Sequence, residues 1–344
     1  VDQDQLAELT LALIEVPSVS RNESALADFV MSFLAGFTHL KVERSGNTIW
    51  AETLLGQGER TLLAGHLDTV PGELERWRRG GTIAGRGAVD MKGGLAVMLG
   101  LAAKERRSNV TYVFYPCEEV DASENGLRFL AKTHPEVFRC ARGVVLEPTG
   151  ADLEAGCQGT LRVRVEVKGV RAHSARPFMG DNALVHAAEV VTHAELAPRR
   201  RPVIDGLEFR ESLVPVRFES FVANNVVPDY ASVWFNHRFA PDRDVASAME
   251  WVRSVVMTDS VDAVELEDSA PGALPHLEHF KELKELIPTS RAKLGWTDVS
   301  FLGQLGVPAV NFGPGNPELA HGNEEAVFEV ELGKVFRALN SWLR

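Results

Sequence analysis

The sequence predicts an α/β protein built on a mixed sheet covered by helices, interrupted by a second, smaller α+β segment. Short buried runs at residues 61–64, 110–115 and 143–146 alternate with helix-period stretches, and each run ends in polar residues. From Leu161 the pattern changes to the half-exposed alternation of residues 162–168, antiparallel in style. At 344 residues the chain exceeds the usual single domain, so two domains, or one domain carrying an insertion, are expected.

The elements follow in order. Leu6, Leu9, Leu13 and Ile14 recur at helical spacing up to Pro17, and a second helix, opened by Asn22-Glu23-Ser24, runs to Gly36 with Leu26, Phe29, Val30 and Phe33 on one face. Strands are expected at 41–44 and 47–52, and Gly56-Gln57-Gly58 turns the chain into the central strand 61–64. Residues 76–81 read as a loop by composition. The glycine-rich run 85–94 opens a helix from Leu95 to about Lys104. Lys92 there is followed by Gly93 rather than Ser or Thr, and no G-x-G-x-x-G register fits, so the glycines are expected to let the backbone crowd around Asp90 rather than cradle phosphate. The run 110–115 ends in Pro116-Cys117-Glu118-Glu119 and is followed by a helix through Leu127, Phe129 and Leu130. The run 143–146 ends in Glu147-Pro148-Thr149.

The second domain is expected to span 159–270. It holds a helix capped by Asp181 and running through His193, strands at 213–222, 231–239 and 261–267, and a helix at about 244–257. Pro271-Gly272 returns the chain to the first domain, expected at 1–158 and 271–344, with a helix at 277–286, a strand at 308–312 and a final helix at 326–343.

Composition narrows the function. Hydrophobic residues at 45% and charged residues at 24% describe an ordinary globular chain, and no stretch is long and apolar enough for a membrane span. Lys plus Arg at 36 against Asp plus Glu at 48 gives a net charge of −12, which disfavours nucleic acid and anionic membrane as partners and requires local arginines for any anionic substrate. Cys117, Cys140 and Cys157 are odd in number and lack C-x-x-C spacing, and no apolar leader precedes them, so reduced thiols in the cytoplasm are expected.

The chemistry lies in what closes the buried strands. His66 and Asp68 are two apart on an extended segment and face the same side, as a ligand and its orienting partner would. Collected with Asp90, Glu118, Glu119, Glu147 and His321, they form a set whose carboxylates would repel one another unless cations neutralise them. Imidazole and carboxylate without thiolate suit Zn²⁺, Co²⁺ or Mn²⁺, and the set exceeds what one ion can use. Two ions sharing a carboxylate leave one acid free to move protons. A Cys117 nucleophile is the competing reading, but no His is placed by sequence to activate it.

His66-x-Asp68, the Asp90 loop, Glu118-Glu119, Glu147-Pro148-Thr149 and the late His321 together resemble the co-catalytic zinc amidohydrolase family of acetylornithine deacetylase, succinyl-diaminopimelate desuccinylase and carboxypeptidase G, over nearly the whole chain. The resemblance implies a zinc-peptidase-like catalytic domain, an inserted ferredoxin-like lid and dimerisation domain, and two Zn²⁺ (or Co²⁺) ions per subunit of a homodimer. It implies that Asp90 bridges the ions, His66 and Glu147 complete one site, Glu119 and His321 complete the other, Glu118 is the base, and Asp68 supports His66. Residues 169–177 resemble the family's His-bearing lid motif, which makes His173 an oxyanion donor, and Asn225-Val226-Val227-Pro228 with Arg238 resembles its substrate-anchoring segment; Arg176, Asn225 and Arg238 are the candidates for substrate carboxylates. Residues 154–160 with Glu147-Pro148-Thr149 look most like the actinobacterial desuccinylase branch, implying hydrolysis of N-succinyl-LL-diaminopimelate. Acetylornithine deacetylation, a dipeptidase or carboxypeptidase activity, and a non-catalytic metal-binding homologue are the alternatives. Cys117 stands where the family often carries Asp or Glu.

Overall fold

The computed structural model describes residues 1–56 and 58–344; the expected turn at 56–58 contains Gln57, which lies outside the described residues. The chain forms two compact units. One comprises Val1–Ala155, Pro275–Arg291 and Phe301–Arg344, and the other Gly156–Leu274 with Ala292–Ser300. The second unit is thus wider than the expected 159–270 and includes a short segment from late in the chain.

The first unit is organised by a mixed sheet of eight strands among the described residues, in the order Leu40–Ser45, Thr48–Thr53, Asn109–Tyr115, Arg60–His66, Arg142–Val145, Ala309–Asn311, Leu153–Ala155 and Ser290–Ala292. At its centre Arg60–His66 runs parallel to Asn109–Tyr115, with His66 opposite Tyr115, and parallel to Arg142–Val145, with Ala64 opposite Val145. Parallel pairing brings equivalent ends to one edge, so the segments after His66, Tyr115 and Val145 emerge side by side. This is how three acid-bearing loops, distant in sequence, converge.

The helix Gly93–Ala102 is buried along its entire length, and two glycines allow its approach. A Cβ at Gly65 would lie 2.8 Å from the Met91 Cε and 2.9 Å from a Leu95 methyl, and one at Gly94 would lie 2.4 Å from the Leu146 carbonyl oxygen. Glycine at these positions therefore brings the Asp90 loop against two strand ends. Helix Gln3–Glu15 begins with a reciprocal cap in which the Asp2 side chain accepts from Gln5 N and the Gln5 side chain accepts from Asp2 N.

Several elements differ from expectation. Residues 76–81 are not all loop: Trp77–Arg79 pairs with Thr82–Ala84, which also pairs with Ala326–Phe328 in a three-stranded sheet. Their arginines suggested a solvated loop, but Arg78 uses its charge on Asp4, Glu8 and Glu329. The last helix accordingly starts at Glu329, three residues later than expected, and runs to Trp342. The helix expected at 277–286 opens as a tighter 3-10 turn, Leu277–Phe280, before Lys281–Leu286. Helix Val299–Gln304 was not foreseen.

In the second unit, β-α-β-β-α-β connectivity forms an antiparallel sheet ordered Ser212–Glu219, Tyr230–Phe239, Gly159–Lys168, Val261–Ala270, the ferredoxin-like arrangement. Val163, Val165, Val167, Val233 and Phe235 alternate inward to meet Ala187 and Val190 of helix Ala183–Leu196 and Val252 of helix Val245–Val256. The first of these helices is capped by Asn182, whose side chain accepts from Leu184 N, and not by Asp181, whose carboxylate is taken by His186 at 2.6 Å. Among the described residues, no helix is long and apolar enough to cross a membrane.

Candidate metal centre

The strand Arg60–His66 delivers His66 almost fully buried at the converging edge. Its Nε2 lies 2.9 Å from Asp90 Oδ1 and 3.7 Å from Glu147 Oε1. The other Asp90 oxygen, Oδ2, is 3.3 Å from His321 Nε2, which in turn is 2.8 Å from Glu119 Oε1. Asp90 thus stands between two imidazoles, one with Glu147 and the other with Glu119. Ligand atoms of His66, Asp90 and Glu119 all lie within 4.8 Å of one another, and this mixed imidazole and carboxylate set could hold a divalent cation.

Asp68 touches His66 through both its backbone and its carboxylate, and the carboxylate also carries a second set of bonds. His66 Nδ1 makes its closer contact, 3.0 Å, with the Asp68 backbone carbonyl, and the carboxylate Oδ1 lies 3.5 Å away. The carboxylate's tight bonds go elsewhere: Glu118 N donates to Oδ1 at 2.9 Å, Glu119 N to Oδ2 at 3.1 Å, and Ser20 Oγ to Oδ2 at 2.9 Å. Asp68 therefore clamps the backbone of the acid pair, through bonds worth roughly 1.5–3 kcal/mol each to an ionised acceptor. Burial raises its pKa, but His66 and the Glu118 and Glu119 amides outweigh this and bring it down to about 2.

The field of the cluster favours positive charge. Burial pulls the Asp90 carboxyl upward, yet the hydrogen bonds from His321 and His66 hold it well below the usual range. Hydrogen bonds to Asp90 and Glu119 raise His321 to about 10. Burial lowers the His66 pKa, and Asp68 and Asp90 more than reverse that, leaving it well above its ordinary value. Cys117, by contrast, is pushed up to about 12 by burial and by the Glu23 carboxylate, so its thiol stays protonated and makes a poor nucleophile.

Sequence reading missed the residues that hold the Asp90 loop. Glu325, 1% exposed, accepts from Val89 N and Asp90 N at 3.1 and 3.2 Å and is paired with Arg86 at 2.9 Å. Lys92 is also buried and donates to the Val16 carbonyl at 2.7 Å. The available signal was a second acid after Glu324, in a segment that otherwise reads as solvated.

The remaining candidates lie in the second unit. His173 and Val226 pair across two short strands, His173 Nδ1 accepts from Ala175 N at 3.0 Å, Arg176 N donates to the His173 carbonyl, and Ser174 N donates to that of Asn225. His173, Arg176 and Asn225 therefore share one loop system. Arg238 lies on strand Tyr230–Phe239, opposite Thr160 and Ser212, half-buried, and among the described residues no hydrogen bond or ion pair engages its guanidinium. Burial lowers its pKa.

The chain belongs to peptidase family M20/M25/M40, whose sequence profile matches residues 62–344, and it is a hydrolase. A Mycobacterium tuberculosis (strain CDC 1551 / Oshkosh) relative named, provisionally, as succinyl-diaminopimelate desuccinylase DapE is 47% identical over 330 residues, covering 93% of this chain and 92% of the relative. The succinyl-diaminopimelate desuccinylase of Corynebacterium glutamicum is 40% identical over 350 residues, covering 97% and 95%. The fold is shared with aminopeptidase PepT of Bacillus cereus at a TM-score of 0.81 and 18% identity, covering 100% of this chain and 98% of that one. It is shared also with an M20 family metallo-carboxypeptidase of Sulfolobus solfataricus at 0.76 and 16% identity, covering 99% and 98%.

Proposed function

We propose that this protein hydrolyses the succinyl amide of N-succinyl-LL-2,6-diaminopimelate to succinate and LL-diaminopimelate, using two zinc or cobalt ions. The observation that carries the reading is Asp90, set between His66 with Glu147 and His321 with Glu119. The named relatives at 40–47% identity support the choice of substrate. His66, Asp90 and Glu147 would hold one ion, and Asp90, Glu119 and His321 the other. When bound, such ions supply Lewis acidity toward the scissile carbonyl and the attacking water.

The chain's own groups do the rest. Glu118, one residue from a ligand and held by Asp68 through its amide, takes a proton from the attacking water and passes it to the leaving amine as the C–N bond breaks. His173 donates to the oxygen on which charge develops. Arg238, a half-buried guanidinium seeking an anion, is the main anchor for a substrate carboxylate, with Arg176 and Asn225 assisting.

A homodimer through the second unit is part of the proposal. Its outer strand Ser212–Glu219, which among the described residues pairs on one side only, exposes Val214, Val216 and Phe218, and a second copy would cover them. Cytoplasmic location is inferred from the three free thiols.

A panel of succinylated, acetylated and peptide substrates tests the function. The succinyl compound should give the highest kcat/KM. Preference for acetylornithine or a dipeptide would replace the substrate while keeping the reaction class.

A further inference from the structure

We propose that residues 18–23, the connection between the first two helices, act as a positioning strap for Glu118 and Glu119, with Ser20 and Glu23 as its two grips. This rests on the reading of Glu118 as base and Glu119 as ligand. The acids stand on a loop rather than on a regular element, so something outside that loop must fix where their backbone lies.

The first grip acts through Asp68. Its carboxylate accepts from the amides of both acids, and the oxygen that takes Glu119 N also takes the Ser20 hydroxyl at 2.9 Å. Ser20 itself is braced on the residue after Asp68. Ser20 N donates to the Thr69 carbonyl at 3.2 Å, and Thr69 N donates back to the Ser18 carbonyl at 2.9 Å. Losing the Ser20 hydroxyl removes the bond that ties Asp68 Oδ2 to the strap, so the carboxylate that both amides share is held less firmly.

The second grip acts on the residue before the acids. Cys117 has φ +61°, the left-handed region that non-glycine side chains enter only when held there. Its Sγ–H donates to Glu23 Oε1 at 3.3 Å, and the same oxygen accepts from Arg21 N at 2.8 Å. Glu23 is 1% exposed, so this carboxylate is committed to the interior. Behind it, Gly126 N closes on the Pro116 carbonyl at 2.9 Å. Both grips therefore end on the acid pair or on its immediate neighbour. A strap that served only the fold could be fastened anywhere along the loop.

The test uses the zinc-loaded full chain with Ser20→Ala and Ser20→Thr, and Glu118→Gln as reference. Two quantities are read: kcat and KM for the hydrolysed amide, and the chelator concentration that removes half of the bound zinc. Ser20→Ala should lower kcat about tenfold with KM within about twofold, and lower the half-stripping chelator concentration about tenfold. Ser20→Thr, which keeps the hydroxyl, should restore both. Should Ser20→Ala not fold, Cys117→Ala against Cys117→Ser is read in the same way at the second grip. The strap is overturned if the alanine variant keeps both quantities within about twofold, or if the conservative variant is as impaired as alanine. If instead Glu118→Gln retains activity, the base assignment fails while the chelator measurement still decides the strap.

Discussion

Asp90 presents Oδ1 to His66 Nε2 at 2.9 Å, which leaves its second oxygen turned to His321 at 3.3 Å. One carboxylate thus links imidazoles supplied from opposite ends of the chain. Asp90→Ala should weaken two metal sites at once, whereas Glu147→Ala should weaken one. Calorimetric titration of the metal-free protein with zinc checks this. One unperturbed site surviving in Asp90→Ala would show that the carboxylate is not shared.

The acid pair should separate by role. Glu118→Gln is expected to cut turnover by about 10²–10⁴-fold while metal content stays near wild type, because a base lies outside the coordination sphere. Glu119→Gln should lose metal from the site it shares with His321. Metal analysis beside kcat distinguishes them, and equal metal loss in both would mean that the two assignments are wrong.

Arg238 has no protein anion of its own among the described residues, so its contribution should appear with substrate. Arg238→Ala should lower kcat/KM for the succinylated diamino acid about 10–100-fold, the worth of one charge-assisted hydrogen bond. A substrate analogue lacking the carboxylate that it binds should be spared. Equal losses for both compounds would remove it from substrate recognition.

His237 gives the second unit a pH dependence of its own. Burial lowers its pKa to about 4; Arg243 and Arg199 add to the effect, against an opposing hydrogen bond in which Nδ1–H donates to the Ser212 carbonyl at 2.7 Å. The ring lies beside Trp251, over which Arg199 and Arg243 also sit, and Glu211 is the carboxylate paired with Arg243. The unfolded chain takes up this proton near 6.5 and the folded one only near 4, so stability is complete above 6.5 and falls as pH drops from 6.5 to 4. The loss is about 3 kcal/mol by that difference. Denaturant unfolding of wild type and His237→Gln across this range should show a steeper decline in wild type. Parallel curves would rule the histidine out as the cause.

What was legible in the sequence follows from what strand ends and periodicity report. His66, Glu118, Glu119 and Glu147 close apolar runs, and Asp90 lies among glycines, so their convergence could be read from topology alone. Residues that hold them in place were not legible. Ser20 and Glu325 lie on polar connections whose composition is that of any solvated loop, and only the three-dimensional closure buries the Glu325 carboxylate under the Asp90 amide. The Trp77–Arg79 strand was hidden for a related reason, since arginine and glycine read as loop when their ion-pair partners are some 70 or 250 residues away. Asp68 was legible beside His66, but its bonds to the acid pair were not. Spacing indicated a carboxylate near His66, whereas its closest bonds cross to the acid pair.

The central claim is that two ions act together across Asp90. Metal-stripped protein titrated with zinc, with bound metal and kcat followed in the same samples, tests it most directly. Activity should stay low through the first equivalent or rise along with partial double occupancy, and reach its maximum only at two ions per chain. Full activity at one ion per chain, unchanged by a second, would contradict the account.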